Sequence, residues 1–328
     1  MISCELSVLF VHVGRRLAVA SDMIRRSMLT TMNRRSALAM AAGGALAYAQ
    51  PRPFELGFSL YGMQKIDVHG GLGHVARIGY KSTELCLRPG WKTEPKLLTK
   101  TDRSDIRKRI QDLGLALPSV MENLFAGRPG GVQANLERLR AAAEICHECS
   151  PGPPALIETT IGGRPAAWEE TKNAMAEELA SWAKTLEDLK TTLAIKAHSK
   201  LAMSVPDRLL WMTAQVKSPW IKMVYDYSHF AAFGLDMRKT MEEVASHAAF
   251  VHIKDTIGLA PNHRFVLPGD GPVDFKVYTK ALAASGYRGP VVVEVSVDVY
   301  NQPGYDGVAA AQHVWDKVSG AFARLTQN

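Results

Sequence analysis

The chain has 328 residues, 47% apolar and 22% charged, which excludes a disordered or fibrous protein and leaves room for one large α/β barrel or two ordinary domains. Four Cys in that length exclude a scaffold built on disulfides. The formal net charge of +7 invites a nucleic-acid or membrane-surface partner, so the position of that charge decides its meaning.

More than half of it sits in a leader. Residues 1–49 carry six Arg against Glu5 and Asp22, a net +4 that leaves +3 for the remainder. Within the leader, Met32-Asn33-Arg34-Arg35-Ser36 precedes an apolar run from Ala37 to Leu46 and then Ala47-Tyr48-Ala49. A charged start, a short apolar centre and a small-x-small end predict a secretory signal cleaved after Ala49. The Arg pair resembles a twin-arginine signal, so a periplasmic or otherwise exported protein is expected, with Met32 a better start than Met1. The apolar run is too short to remain as a membrane-spanning helix, so stable membrane insertion is not expected. The remaining +3 gives no support to a nucleic-acid partner.

From residue 50 onward, short β-rich runs alternate with helical periodicity. The predicted strands are Glu55–Leu60, Ser82–Leu87, Ala116–Met121, Ala155–Thr160, Thr192–His198, Ile221–Tyr227, Phe250–Lys254 and Pro290–Val295. Between and after them lie predicted helices at Leu72–Ile78, Ser104–Leu113, Gln133–Cys146, Ala167–Leu189, Asp207–Val216, Met237–Ser246, Phe275–Ser285 and Gly307–Leu325. Thr101 or Asp102, Asp207 and Asp274 are the N-cap candidates. Runs such as Val291-Val292-Val293 fit parallel strands covered on both faces. Eight strand–helix units, without a Gly-rich dinucleotide fingerprint after the first strand, predict a single (β/α)8 barrel over residues 50–328.

Catalytic groups of such a barrel belong at the C-terminal strand ends. Collected by position, these are Glu84 and Cys86, Glu122 and Asn123, Glu158, Lys196 and His198, Asp226 and His229, His252 with Lys254 and Asp255, and Glu294. Alternation puts Lys196 with His198, and His252 with Lys254, on one side of their strands. A ring of Glu, Asp, His and Glu suits one divalent ion, Mn²⁺, Co²⁺, Fe²⁺ or Zn²⁺, with Mg²⁺ disfavoured by the imidazole nitrogen. Trp91 and Phe125 fall in loops on the same rim and are candidates to line a sugar pocket. Cys146 and Cys149 are spaced like half of a redox or zinc site but have no second pair; a packing role and a disulfide both remain open.

Three stretches carry a family resemblance: Val251-His252-Ile253-Lys254-Asp255, Leu267-Pro268-Gly269-Asp270-Gly271-Pro272-Val273-Asp274-Phe275, and Gly286-Tyr287-Arg288-Gly289-Pro290 running into Val291–Glu294. They are similar to the sugar phosphate isomerase/epimerase family of xylose-isomerase-like barrels, and Asp226-Tyr227-Ser228-His229 resembles its sixth-strand Asp-x-x-His. The resemblance implies Asp226, His252 and Glu294 as metal ligands, with His229 and Arg264 lining the substrate pocket; His198, at the end of strand five, is a further candidate to bind substrate. It also implies a Glu on strand five, where this chain has Lys196.

Three accounts of that Lys stand open. Glu158 supplies the missing carboxylate while Lys196 pairs with it or with substrate; His198 reaches the ion; or the metal is lost and Lys196 does the electrostatic work. The first is favoured, because several carboxylates and a retained His still read as a metal site.

The chemistry expected is isomerisation or epimerisation beside a carbonyl. Glu294 or Glu158 acts as base, and Lys196 and Lys254 assist the developing oxyanion. The substrate expected is a sugar without phosphate, because no Gly-rich anion nest opens a helix after strands seven or eight, and Asp270 stands in the relevant loop. The same groups would serve a lyase or hydratase acting on a 3-keto sugar, and a sugar-binding barrel with a degenerate metal site is the non-catalytic alternative. A repair endonuclease on this barrel would need a three-metal cluster with many more His.

Overall fold

Eight parallel strands close into a barrel. The computed structural model describes residues 54–323; the leader and its expected signal lie outside them. In the first half, β1 (Leu56–Ser59), α1 (Val68–Ile78), β2 (Ser82–Cys86), α2 (Lys100–Asp112), β3 (Ala116–Asn123), α3 (Val132–Cys149), β4 (Leu156–Thr160) and α4 (Trp168–Leu189) alternate. The second half adds β5 (Leu193–Lys196), α5 (Pro206–Val216), β6 (Ile221–Tyr225), α6 (Tyr227–Ala231), α7 (Met237–Glu243) and β7 (Ala248–Ile253). Then follow β8 (Asp255–Ile257), β9 (Arg264–Val266), α8 (Phe275–Ala284), β10 (Val291–Val293), α9 (Val297–Tyr300) and α10 (Gly307–Ala323). The barrel strands run in the order β1-β10-β7-β6-β5-β4-β3-β2.

Each predicted strand and helix has its counterpart, with ends shifted by a few residues. The caps correct two expectations. Thr99, not Thr101 or Asp102, caps α2, because Thr99 and Asp102 bond each other's backbone N–H in a reciprocal capping box. Val205 precedes α5, with Pro206 at the first helical position and Asp207 in the first turn, where a proline's missing N–H is not needed. Asp274 caps α8 as expected, accepting from the N–H groups of Lys276 and Val277. The antiparallel β8–β9 hairpin has no predicted counterpart; at three residues per strand it is too short for a periodic signal.

Closure puts the chemistry on an apolar floor. Ala194, Val224, Phe250 and Val292 form one buried cluster. Two residues further along each of their strands stand Lys196, Asp226, His252 and Glu294, since a period of two keeps these residues on one side. Gly57 in β1 lets the strands pack closely here: a Cβ at this position would lie 2.2 Å from Ser82 Oγ and 2.9 Å from Val292 Cγ2. Cys146 and Cys149 are buried free thiols in the last turn of α3, packed into the core. No helix among the described residues is long and apolar enough to cross a membrane.

Candidate active site

Seven ionisable side chains meet inside the barrel mouth, all buried: Glu84, Glu158, Lys196, Asp226, His252, Lys254 and Glu294. Glu84 lies deepest. Strand register sets Ser59, Glu84 and Ser119 side by side on β1, β2 and β3. The two hydroxyls donate to its two oxygens, Ser59 Oγ at 2.6 Å and Ser119 Oγ at 2.7 Å. His252 Nε2 sits 3.1 Å from Glu84 Oε1, and His252 Nδ1 lies 2.9 Å from Glu294 Oε2.

Two lysines complete the group. Lys196 Nζ is 2.7 Å from Glu294 Oε2, 2.8 Å from Glu158 Oε1 and 3.0 Å from His252 Nδ1. Its approach to Glu158 is close enough for an ion pair but is not aligned as a hydrogen bond, so Glu158 Oε1 is a buried acceptor without an aligned donor. Lys254 Nζ is 2.6 Å from Asp226 Oδ2, 2.9 Å from Glu294 Oε2 and 3.3 Å from His229 Nε2. Asp226 also caps α6, taking the Ser228 hydroxyl at 2.6 Å.

The surroundings push the carboxyls in opposite directions. Burial pushes Glu158 above the usual carboxylate range, and the charges of Lys196 and His252 only partly offset this. Burial opposes ionisation of Glu294 too, but Lys196, Lys254 and His252 together outweigh it and hold Glu294 well below that range. Burial would lower His252; the carboxylates of Glu84 and Glu294 overcome it and push the ring up to about 9. A carboxylate oxygen faces each ring nitrogen of His252, and Lys196 Nζ also lies 3.0 Å from its Nδ1. The Lys196 ammonium is itself held well above its ordinary range, because Glu158, Glu294 and Asp226 outweigh the cost of burial.

A pH dependence follows from His252. Its folded-state pKa is raised, so its contribution to stability is complete below 6.5, the ordinary value, and is lost as pH rises through about 9. Melting temperature is expected to fall across that interval in wild type, whereas His252→Gln is expected to be flat there. A wild-type profile without this alkaline limb would show that the ring is neutral in the fold.

Two neutral imidazoles border the cluster. His198 and His229 pack against each other with ring centroids 4.1 Å apart and planes tilted by 39°. Burial, with the charges of Lys254 and Lys196, lowers His198 to about 3; burial, then His198 and Lys254, hold His229 well below its ordinary value. Phe265 on β9 packs edge-on against His229 at 4.9 Å.

Trp91 stands on another side of the mouth. It stacks on Tyr61 at 5.2 Å, Tyr300 meets Tyr61 edge-on at 5.1 Å, and Arg88 lies over both Tyr61 and Trp91. Arg264 is exposed and lines a flanking cleft of about 710 Å³ with Lys200, His263 and Asp298; its neighbour Phe265 is the hairpin residue that reaches the imidazoles. Phe125 is 39% exposed. Asp255 does not pair with Lys254. It accepts from the backbone N–H groups of Thr256, Gly269 and Gly271, tying down the Gly269–Gly271 loop.

Sequence reasoning placed Glu84 at a strand end without giving it a role, although Ser82, Glu84 and Cys86 alternate inward. Tyr61, Arg88 and Tyr300 lie in short helices and loops, where no periodic signal marks the facing side.

The residues present can be tested against a divalent ion. One atom each from Asp226, His252 and Glu294 lies within 4.8 Å of the others, the one such group among the described residues. Glu158, expected as a further ligand, is not in it and faces Lys196 instead. A lysine contacts each of the three residues, and both ammoniums share Glu294 Oε2. A protonated Lys offers no lone pair and repels a cation. With both lysines charged, this donor set does not fit a divalent ion.

A family model described as a xylose isomerase-like TIM barrel matches residues 72–317. The chain belongs to this family. Among curated relatives, L-ribulose-5-phosphate 3-epimerase UlaE of Escherichia coli strain K12 is 27% identical over 159 residues, 48% of this chain and 54% of the relative. The counterpart in Shigella flexneri is 26% identical over the same span. The match thus spans about half the length of these curated relatives. Among solved structures, the IOLI protein with a binding zinc atom superposes with a TM-score of 0.68 at 18% identity, covering 82% of this chain and 100% of that one. The 3-keto-D-glucoside 4-epimerase YcjR from E. coli gives 0.65 at 14% identity, covering 81% and 99%. At such identities these superpositions establish the barrel and nothing finer.

Proposed function

We propose that the protein is a sugar epimerase or isomerase that moves a proton at the carbon next to a carbonyl. The observation that carries this is the placement of Glu158 and Glu294 on either side of Lys196, 2.8 and 2.7 Å from its Nζ, with burial pushing the first carboxyl up and the surrounding cations holding the second down. Two carboxyls whose surroundings push their pKa values apart are the pattern of an acid–base pair. Glu294 Oε2 is engaged by the lysines and His252, and Glu294 is the least buried carboxylate of the cluster, so its other oxygen is assigned to the C–H bond.

In the first step the Glu294 carboxylate takes the proton. The C–H electron pair becomes the C=C of an enediolate, and the carbonyl oxygen takes the negative charge beside the Lys196 and Lys254 ammoniums. The Glu158 carboxylic acid then returns a proton to carbon from the other face. This inverts the centre and leaves Glu158 ionised and Glu294 protonated, and exchange with water resets the pair.

Metal-dependent chemistry of the kind expected from the family resemblance rests on the Asp226, His252 and Glu294 group, and the lysines argue against it. The substrate class is drawn from the sugar epimerases among the relatives. The Tyr61, Trp91 and Tyr300 wall suits the apolar faces of a sugar, and the unphosphorylated reading rests on the sequence pattern after strands seven and eight, which opens no helix with a Gly-rich anion nest. Export, and with it a substrate met outside the cytoplasm, rests on the pattern of residues 32–49 alone.

Incubation in D₂O with free aldoses, ketoses, 3-keto sugars and pentulose 5-phosphates tests the proposal, with deuterium followed by NMR. Incorporation at one carbon of an unphosphorylated sugar, with appearance of its epimer or isomer, is the expected result. No exchange into any member overturns the assignment, and exchange confined to the phosphates overturns the substrate class.

A further inference from the structure

The lysines occupy the ground on which an ion would stand. Lys254 Nζ bridges Asp226 Oδ2 at 2.6 Å and Glu294 Oε2 at 2.9 Å. Lys196 Nζ bridges Glu294 Oε2, Glu158 Oε1 and the His252 ring on the other side. A transition-metal ion held about 2.0–2.2 Å from the same oxygens and ring nitrogen would come within about 3–4 Å of both ammoniums. In a buried site that repulsion is far larger than in water. Neither lysine has an easy way out: Lys196 and Lys254 are each 3% exposed, and their stems rise from the barrel wall.

Charge balance points the same way. Two ammoniums, Lys196 and Lys254, already stand among the carboxyl groups of Glu84, Glu158, Asp226 and Glu294, and a dication would add two more positive charges to the same enclosed space.

We propose that Lys196 and Lys254 stand permanently in place of a divalent ion, so that this barrel works without metal and its two ammoniums hold the substrate oxygens. The catalytic half of this statement rests on the epimerase reading above; the exclusion of metal does not. Positive charge at a fixed point is what an ion would contribute to an enediolate, and two preorganised ammoniums sharing one carboxylate oxygen provide it with no open coordination position to fill.

The test uses the full chain, stripped with chelator and titrated with Co²⁺ alone. Wild type is expected to retain substoichiometric cobalt after gel filtration, to show no visible d–d absorption and to keep its melting temperature. Lys196→Glu, which removes one ammonium and adds a carboxylate, is expected to bind one Co²⁺ per chain and to melt roughly 5 °C or more higher with excess ion. One equivalent of cobalt bound by wild type, with its absorption band, overturns the proposal whether or not the variant folds. Lys196→Gln gives a second comparison: cobalt binding that appears once the charge is removed supports the lysine as the excluding group. A full-length wild type that binds no cobalt and exchanges no sugar proton would retain the metal exclusion and discard the epimerase reading.

Discussion

Glu294→Gln is expected to lower deuterium exchange by about 10²- to 10⁴-fold, the range a positioned general base contributes. The amide keeps the size of the side chain and can still accept from Lys196 and Lys254, now 2.7 and 2.9 Å from Oε2. It cannot take a proton from carbon. The loss should therefore fall on kcat far more than on KM, because the ammoniums that hold the substrate oxygens remain. Removing one negative charge from a buried group also leaves two cations less well matched, so some loss of melting temperature is expected alongside. Circular dichroism on the same preparation separates the two effects. A variant that is folded and still exchanges at the wild-type rate would remove Glu294 from the mechanism and leave Glu158 as the base.

Glu84→Ala is expected to cost about 3–5 kcal/mol of stability, the usual consequence of removing one partner from a buried charged network. Glu84 is fully enclosed, with Ser59 and Ser119 on its two oxygens and His252 on one of them. Truncation strands two hydroxyls and a ring nitrogen of His252 where water has little access. Denaturant unfolding measures the change, and a cost below about 1 kcal/mol would mean that the deep end of the cluster reorganises without it. Glu84→Gln keeps the shape and one acceptor and is expected to fall between wild type and Glu84→Ala. The contrast matters because Glu84 positions His252 and touches no reacting atom in the proposed mechanism, so its loss should appear first in stability.

The barrel was legible because its signals are local. Apolar runs such as Val291–Val293, helical periodicity between them and eight repeats of the pattern are properties of a few neighbouring residues, and closure follows from their number and order. Strand alternation likewise marked which polar groups share the mouth: Val292 and Glu294, or Phe250, His252 and Lys254, lie two apart and so face one way. The Thr99 and Asp102 capping box was missed by two residues, and the β8–β9 hairpin was missed altogether; that hairpin brings in Phe265, while the adjacent Arg264 points to the outer cleft.

What the sequence determined by itself is thus the fold, the inward-facing chemistry and the anomaly of a lysine on strand five. The tertiary structure decided what that lysine does. Lys196 and Glu294 are 98 residues apart, and Glu84 and His252 are 168 apart. Whether such pairs touch depends on how the strands stagger as the barrel closes and on which rotamers fit over the floor of Ala194, Val224, Phe250 and Val292. No local period carries that information. The net charge of the chain pointed outward, to large anionic partners; the packing turns attention to a few charges of both signs, nearly balanced and enclosed, where each ammonium is fixed by the carboxylates it meets.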